Sequence, residues 1–123
     1  MHPLISIVDD DDGSREALAV LTRSFGFVAE TYASAREFLA SSRVPMTACL
    51  IADVNMPGMT GLQLHRRLVR LGHAIPTVLI TAYPDDAVRA RALRDGVIGY
   101  LSKPCSDATL LAILGSALKA VDY

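Results

Sequence analysis

Ala48-Cys49-Leu50-Ile51-Ala52-Asp53 decides the fold: five apolar residues run without a polar break into a carboxylate. A strand with one face in water alternates apolar and polar residues. An unbroken apolar run therefore fits a strand covered on both faces, as in a parallel sheet between helices. Working outward, comparable runs occur at Leu4 to Val8, Thr77 to Ile80 and Val97 to Leu101, with a weaker one at Phe27 to Tyr32. Together these predict five strands, four of them nearly continuous in apolar residues.

The intervening segments carry helical spacing. Ala17, Leu21 and Phe25 line one stripe, and Leu110, Ile113, Leu114, Ala117, Leu118 and Val121 another. Ser34 precedes a helical segment from Ala35 to Ala40, Ser106 or Asp107 can cap the last helix, and Gly26 and Gly72 can end helices. Strand and helix thus alternate five times. With right-handed crossovers the economical solution is an α/β, flavodoxin-like (βα)5 fold: a doubly wound five-stranded parallel sheet, order 2-1-3-4-5.

Composition bounds the rest. The chain has 123 residues, 51% hydrophobic, which predicts one compact domain over 1–123. Twelve Lys+Arg against 13 Asp+Glu leave no global field of the kind that marks nucleic-acid or membrane binders. Cys49 and Cys105 have neither metal-type spacing nor the density of a secreted disulfide scaffold, so a reducing compartment fits. Cys49 belongs in the core and Cys105 reads as a structural thiol. The N-terminus reaches Asp9 to Asp12 without the apolar core of a signal peptide, and no run approaches transmembrane length. The expectation is a soluble, cytoplasmic protein. His2, His65 and His73 are too scattered to build a metal site or a base.

In sheets of this type ligands bind beyond the carboxyl ends of the strands. The residues there are polar: Asp9 and Asp10 after the first run, Asp53 after the third, Thr81 after the fourth, Ser102 and Lys103 after the fifth. Taken singly, each has a bland explanation. A strand-end acid is usually a cap or a solvated loop group, Lys103 a surface lysine and Thr81 the last residue of its strand. Together they would share one rim. Two carboxylates ~4 Å apart repel by ~4 kcal/mol at an effective dielectric near 20, so three acids gathered there need a compensating cation or protonation. Lys103 and Mg2+ would supply that compensation. Mg2+ takes oxygen ligands and bridges carboxylates to phosphates, and there is no Cys/His cluster to suit zinc.

Val8-Asp9-Asp10, Asp53-Val54-Asn55-Met56-Pro57-Gly58-Met59-Thr60-Gly61, Thr81-Ala82 and Lys103-Pro104 follow one another at strand ends in this order. With them the chain, from Leu4 to about Val121, resembles the receiver domains of bacterial two-component response regulators. The resemblance implies that Asp53 accepts a phosphoryl group from a sensor histidine kinase or a small phosphodonor, by self-catalysed transfer. It further implies that Asp10, Asp53 and the main-chain carbonyl of Asn55 ligate Mg2+, with Asp9 acting through a water, while Asp11 and Asp12 serve the first helix as caps. Lys103 and Thr81 would contact phosphoryl oxygens, and a cis bond before Pro104 would turn Lys103 toward the acids.

Phosphorylation would draw Thr81 and its loop inward, with Tyr100 turning after it as the second switch residue. An ordinary half-buried tyrosine with its hydroxyl in water is the competing description of Tyr100. Asn55 and Tyr83 would flank the attacking water and set the phosphoryl lifetime. The face of the fourth helix, fifth strand and fifth helix would address an output domain or partner, or a second copy through salt bridges among Arg89, Arg91, Arg94, Asp85, Asp86, Asp95 and Asp107. A solvated helix face is the usual fate of such charges and is the competing description. Cys105 stands where most relatives carry an aromatic, which predicts looser packing there.

The segment Thr31 to Leu39 resembles receivers of nitrogen-fixation-type transcription regulators, which carry a DNA-binding domain downstream, so both a stand-alone receiver and a fragment of a longer regulator are open. Two other classes compete. A haloacid-dehalogenase-type phosphohydrolase also uses Mg2+, Thr, Lys and strand-end acids, but its nucleophile follows the first strand. A flavin carrier would share the fold alone, and no phosphate-cradling loop precedes the first helix.

Overall fold

The computed structural model describes residues 2–119. Five strands, β1 (Leu4–Val8), β2 (Val28–Tyr32), β3 (Cys49–Asp53), β4 (Thr77–Thr81) and β5 (Gly99–Ser102), form one parallel sheet in the order β2-β1-β3-β4-β5. The helices between and after them are α1 (Asp12–Ser24), α2 (Ala35–Leu39), α3 (Gly61–Arg70), α4 (Asp86–Arg94) and α5 (Asp107–Lys119). Val121, assigned to the last helical stripe, lies outside the described residues.

The apolar runs sort themselves by strand period. Ile5, Ile7, Ile51, Val78 and Ile80 pack with Leu18, Leu110 and Leu114 of α1 and α5. Val8, Leu50, Ala52 and Leu79 face Phe38, Leu64, Leu68 and Ala92 of α2, α3 and α4. Every residue of β1, β3 and β4 is buried, as both-face coverage requires. Ser6, the one polar residue inside β1, is satisfied at 2.8 Å by the Thr47 hydroxyl.

β5 departs from the expectation of a fully covered strand. It starts at Gly99, two residues later than the apolar run, and only Gly99 is buried in it. The reason is its place at the sheet edge, where β4 is its sole strand neighbour. Hydropathy also did not reveal a short 3-10 turn over Val44–Met46, closed around Pro45.

The caps follow their chemistry. The Asp11 carboxylate accepts from the Ser14 N–H at 2.7 Å, and Ser34 does the same for Glu37 at 3.1 Å. Ser106 rather than Asp107 caps α5, accepting from the Thr109 N–H at 3.1 Å. Gly72 closes α3 in the left-handed region at φ 86, with the next N–H, that of His73, reaching back to the Leu68 carbonyl at 2.9 Å.

Candidate functional site

Strand register builds the rim. Val8 pairs with Ala52, Asp53 with Ile80, and Thr81 with Ser102, so the chain leaves β1, β3, β4 and β5 at nearly one level. Asp9, Asp53, Thr81 and Lys103 thereby meet, although up to 94 residues separate them.

The two buried acids are held alike. Asp9 receives the Asp11 N–H on one oxygen at 3.0 Å and the Lys103 ammonium on the other at 2.9 Å. Asp53 receives the Asn55 N–H at 3.0 Å and the same ammonium at 2.8 Å. Each is an Asx turn to the backbone two residues on, with the second oxygen given to one shared lysine. The peptide bond between Lys103 and Pro104 is cis, as the resemblance implied.

The electrostatics separate the two carboxyls. Burial pushes Asp9 up, but Lys103, the Asp11 N–H and Ser14 together hold it below its ordinary value. Asp53 stays raised: burial and the neighbouring charge of Asp9 outweigh Lys103 and the Asn55 N–H. Burial works to lower the Lys103 pKa, yet its bonds to Asp53 and Asp9 hold the ammonium above its usual range. An ammonium bonded to both acids stays charged, so the site keeps a fixed cation.

Asp10 is exposed and completes a group in which Asp9, Asp10 and Asp53 each bring one oxygen within 4.8 Å of the others. Oxygen-only donors at that separation fit a hard divalent cation. Of the two acids expected to cap α1, Asp11 caps it and Asp12 pairs with Arg15 in the first turn.

Thr81 is fully buried already and its hydroxyl oxygen accepts twice, from the Asn55 side-chain amide at 2.8 Å and from the Tyr83 N–H at 2.9 Å. Tyr83 is 78% exposed over a 290 Å³ pocket that it lines with Asp53, Asn55 and Lys103. The Tyr100 hydroxyl is not left to water: it accepts from the Asp85 N–H at 3.1 Å, just ahead of α4. Two acids that could have bridged to a second copy are otherwise engaged. Asp85 caps α4 through the N–H groups of Ala87 and Val88, and Asp95 binds Arg66 at 2.6 Å.

Ser14 and Arg15 had no expected role at the site, and for Asn55 only its main-chain carbonyl and a place beside the attacking water were expected. The Arg15 guanidinium holds the Asp9 carbonyl at 2.8 Å, and Ser14 bears on the Asp9 carboxyl. The Asn55 amide reaches across to β4, a contact over 26 residues that no local spacing announces. Gly61 is the fourth point of rigidity: a Cβ there would stand 2.5 Å from the Asp53 carbonyl oxygen, so α3 starts directly on the backbone of the central acid.

Cys49 is buried, its thiol pushed by burial to about 12, and Cys105 is half-buried with its thiol also raised. Neither is an activated thiolate. His65, given no role, is buried on α3 with Nδ1 unpartnered. No helix among the described residues is long and apolar enough to cross a membrane.

The comparisons agree with this geometry. Nodulation protein W of Bradyrhizobium diazoefficiens is 39% identical over 108 residues, 88% of this chain and 48% of that protein. The transcriptional regulatory protein FixJ of Azorhizobium caulinodans is 34% identical over 115 residues, covering 93% and 54%. The chain thus spans about half the length of these relatives. Among solved structures, the chemotaxis protein CheY4 of Vibrio cholerae superposes with a TM-score of 0.87 at 28% identity, over 96% of this chain and 100% of that one. Residues 5–115 match the family model described as the response regulator receiver domain, so the chain belongs to the receiver domains of two-component response regulators.

Proposed function

We propose that residues 1–123 act as a cytoplasmic phosphoacceptor module and that Asp53 is the residue modified. The observation that carries this is the single ammonium of Lys103 bonded to Asp9 and Asp53 at 2.9 and 2.8 Å, with the Asp10 carboxylate alongside. A buried nucleophilic carboxylate with a fixed cation on its second oxygen is prepared to meet an incoming phosphoryl group.

In the reaction an Asp53 carboxylate oxygen forms the bond to phosphorus. The P–N bond of a kinase phosphohistidine, or the P–O bond of a small phosphodonor, breaks with its electron pair going to the leaving group. Water attack on phosphorus later returns the carboxylate and inorganic phosphate. Asp10, Asp53 and the Asn55 carbonyl would hold Mg2+, with Asp9 acting through a water, and the ion when bound neutralises charge on the transferring group. Lys103 supplies a second positive charge to the phosphoryl oxygens, and Thr81 supplies its hydroxyl proton. Catalysis here is positioning and electrostatics, carried out by the acceptor on itself.

Phosphorylation adds about −1.5 to −2 charges and three acceptor oxygens beside Thr81 and Lys103. Thr81 and Tyr100 relay the change to α4, β5 and α5, where exposed Leu93 and Leu111, with Ile98 just before β5, fit an interaction surface. The partners are a sensor histidine kinase and an output domain, the latter supported by relatives about twice as long as this chain. A homodimer through the same face would pair the exposed Arg89, Arg91 and Arg94 with Asp86 and Asp107, since Asp85 and Asp95 are bound within the chain. The phosphohydrolase reading is disfavoured because residues 5–115 match the receiver-domain family.

The test is direct. With acetyl phosphate and Mg2+, intact-mass measurement should show one phosphoryl adduct on the parent and none on Asp53→Asn. An adduct persisting on Asp53→Asn, or steady release of phosphate from phosphomonoesters, would overturn the assignment.

A further inference from the structure

Asn55 touches both halves of the site. Its main-chain N–H bonds the Asp53 carboxylate at 3.0 Å, and its side-chain amide donates to the Thr81 hydroxyl at 2.8 Å. A hydroxyl has two acceptor positions and one proton. At Thr81 both acceptor positions are filled, by Asn55 Nδ2 and by the Tyr83 N–H at 2.9 Å. Only the proton of this fully buried hydroxyl remains to be given.

From this juxtaposition we propose that the Asn55 side chain is a positioning residue that fixes Thr81 as a hydrogen-bond donor toward the phosphoryl group. The inference rests on Asp53 being the phosphoacceptor and adds how the site is oriented before the phosphoryl group arrives. Without the Asn55 amide one lone pair of Thr81 is open, the hydroxyl can rotate, and water can satisfy it. The proton is then no longer committed. Because the same residue binds Asp53 through its backbone, it links the end of β3 to the end of β4, and a side-chain substitution breaks one of these links while sparing the other.

A double-mutant cycle read by phosphorylation from acetyl phosphate in saturating Mg2+ tests this. Asn55→Leu should lower the phosphorylation rate constant about 2- to 10-fold, the size of one neutral hydrogen bond. The same change in a Thr81→Val background should have no further effect, because the group it acts through is gone. In a Thr81→Ser background, which keeps the hydroxyl, the loss should return in full. Mg2+ affinity, followed by titration, should be unchanged by Asn55→Leu, since the main-chain carbonyl is untouched. Full additivity in the Thr81→Val background, or a fall in Mg2+ affinity that accounts for the rate, would overturn the proposal. If the parent takes no phosphoryl group, or Asp53→Asn takes as much, the phosphoacceptor reading fails instead, so the two failures are distinct.

Discussion

Asp53→Asn should make the folded chain more stable in metal-free buffer, although Asp53 is 95% covered and bonded to a lysine. The carboxylate oxygens of Asp9, Asp10 and Asp53 lie within 4.8 Å of one another, and at an effective dielectric near 20 each such pair repels by about 3.5 kcal/mol. Lys103, 2.8 Å away, returns about 6 kcal/mol on the same scale. Asp10 is exposed and its share is screened, so Asp9 cancels more than half of the Lys103 attraction and a modest net attraction remains. Burial of the charge then tips the balance, in agreement with the raised pKa of Asp53. Asparagine keeps an oxygen for Lys103 and removes the charge, while its NH2 takes the place of the oxygen that accepts the Asn55 N–H and offsets part of the gain. The expected gain is about 1–2 kcal/mol, or roughly 3–6 °C in Tm per kcal/mol for a domain of this size.

The pH dependence has a fixed sign. A carboxyl whose native pKa is raised contributes stability that is complete below its ordinary value of 3.8 and is lost as pH rises through the native value. The advantage of Asp53→Asn should therefore be full at neutral pH and close as pH falls toward that ordinary value. Urea denaturation of both proteins with EDTA between pH 4 and 7 measures it. Mg2+ should then stabilise the parent more than the variant, by about 2.7 kcal/mol at a hundredfold excess over Kd. A variant less stable than the parent at pH 7 without metal would refute the electrostatic argument.

Lys103→Met should cost about 3–5 kcal/mol without metal by leaving two buried carboxylates unpaired, and Mg2+ should bind it more tightly because a competing cation is gone; isothermal titration checks the sign. Gly61→Ala places a Cβ against the Asp53 carbonyl oxygen and should cost about 1–3 kcal/mol. Gly99→Ala, whose closest contact is the mobile tip of Ile113, should cost less, and parallel urea titrations compare the two. Tyr83→Ala should shorten the phosphoryl half-life by opening the pocket to water; an unchanged half-life by autoradiography removes that role. Tyr100→Phe should cost about 1 kcal/mol and weaken hydrogen-exchange protection in the first turn of α4, because the Asp85 N–H loses its acceptor.

The sheet was readable because β1, β3 and β4 lie between two helical layers, and burial on both faces forbids alternation. β5 was read too early and too buried because an edge strand has one strand neighbour and its outer residues stay half-exposed, which hydropathy alone does not register. The rim acids were legible from strand-end position plus the crossover rule. Lys103 was expected beside them from the same position, but that its ammonium bonds one oxygen of each buried acid, over 94 and 50 residues, needed the fold. The Asn55 amide on Thr81 had no sequence signal, because an asparagine after a strand is an ordinary turn residue until a partner from another strand is seen.

The helix that would report phosphorylation is also weakly held. α4 buries only Ala92, whereas α3 buries five residues against the same side of the sheet. Two polar contacts act at its ends: the Asp85 N–H on the Tyr100 hydroxyl, worth about 1 kcal/mol, and the partly exposed Arg66–Asp95 pair, worth about 0–1 kcal/mol. Charge-assisted bonds from a phosphoryl group to Lys103 and Thr81, at about 1.5–3 kcal/mol each, exceed both. Thr81 ends β4 and its loop leads straight to Asp85, so on the proposed function energy placed at the rim would reach the helix with the fewest buried residues to resist it. α1, with three buried residues, meets the rim through Asp9, Ser14 and Arg15 but has no link to Thr81, and should keep its position. Hydrogen exchange in the presence of beryllofluoride, a phosphoryl mimic, should therefore change over α4 and leave α1 protected; equal change in both would mean that the coupling is global and not carried by this loop.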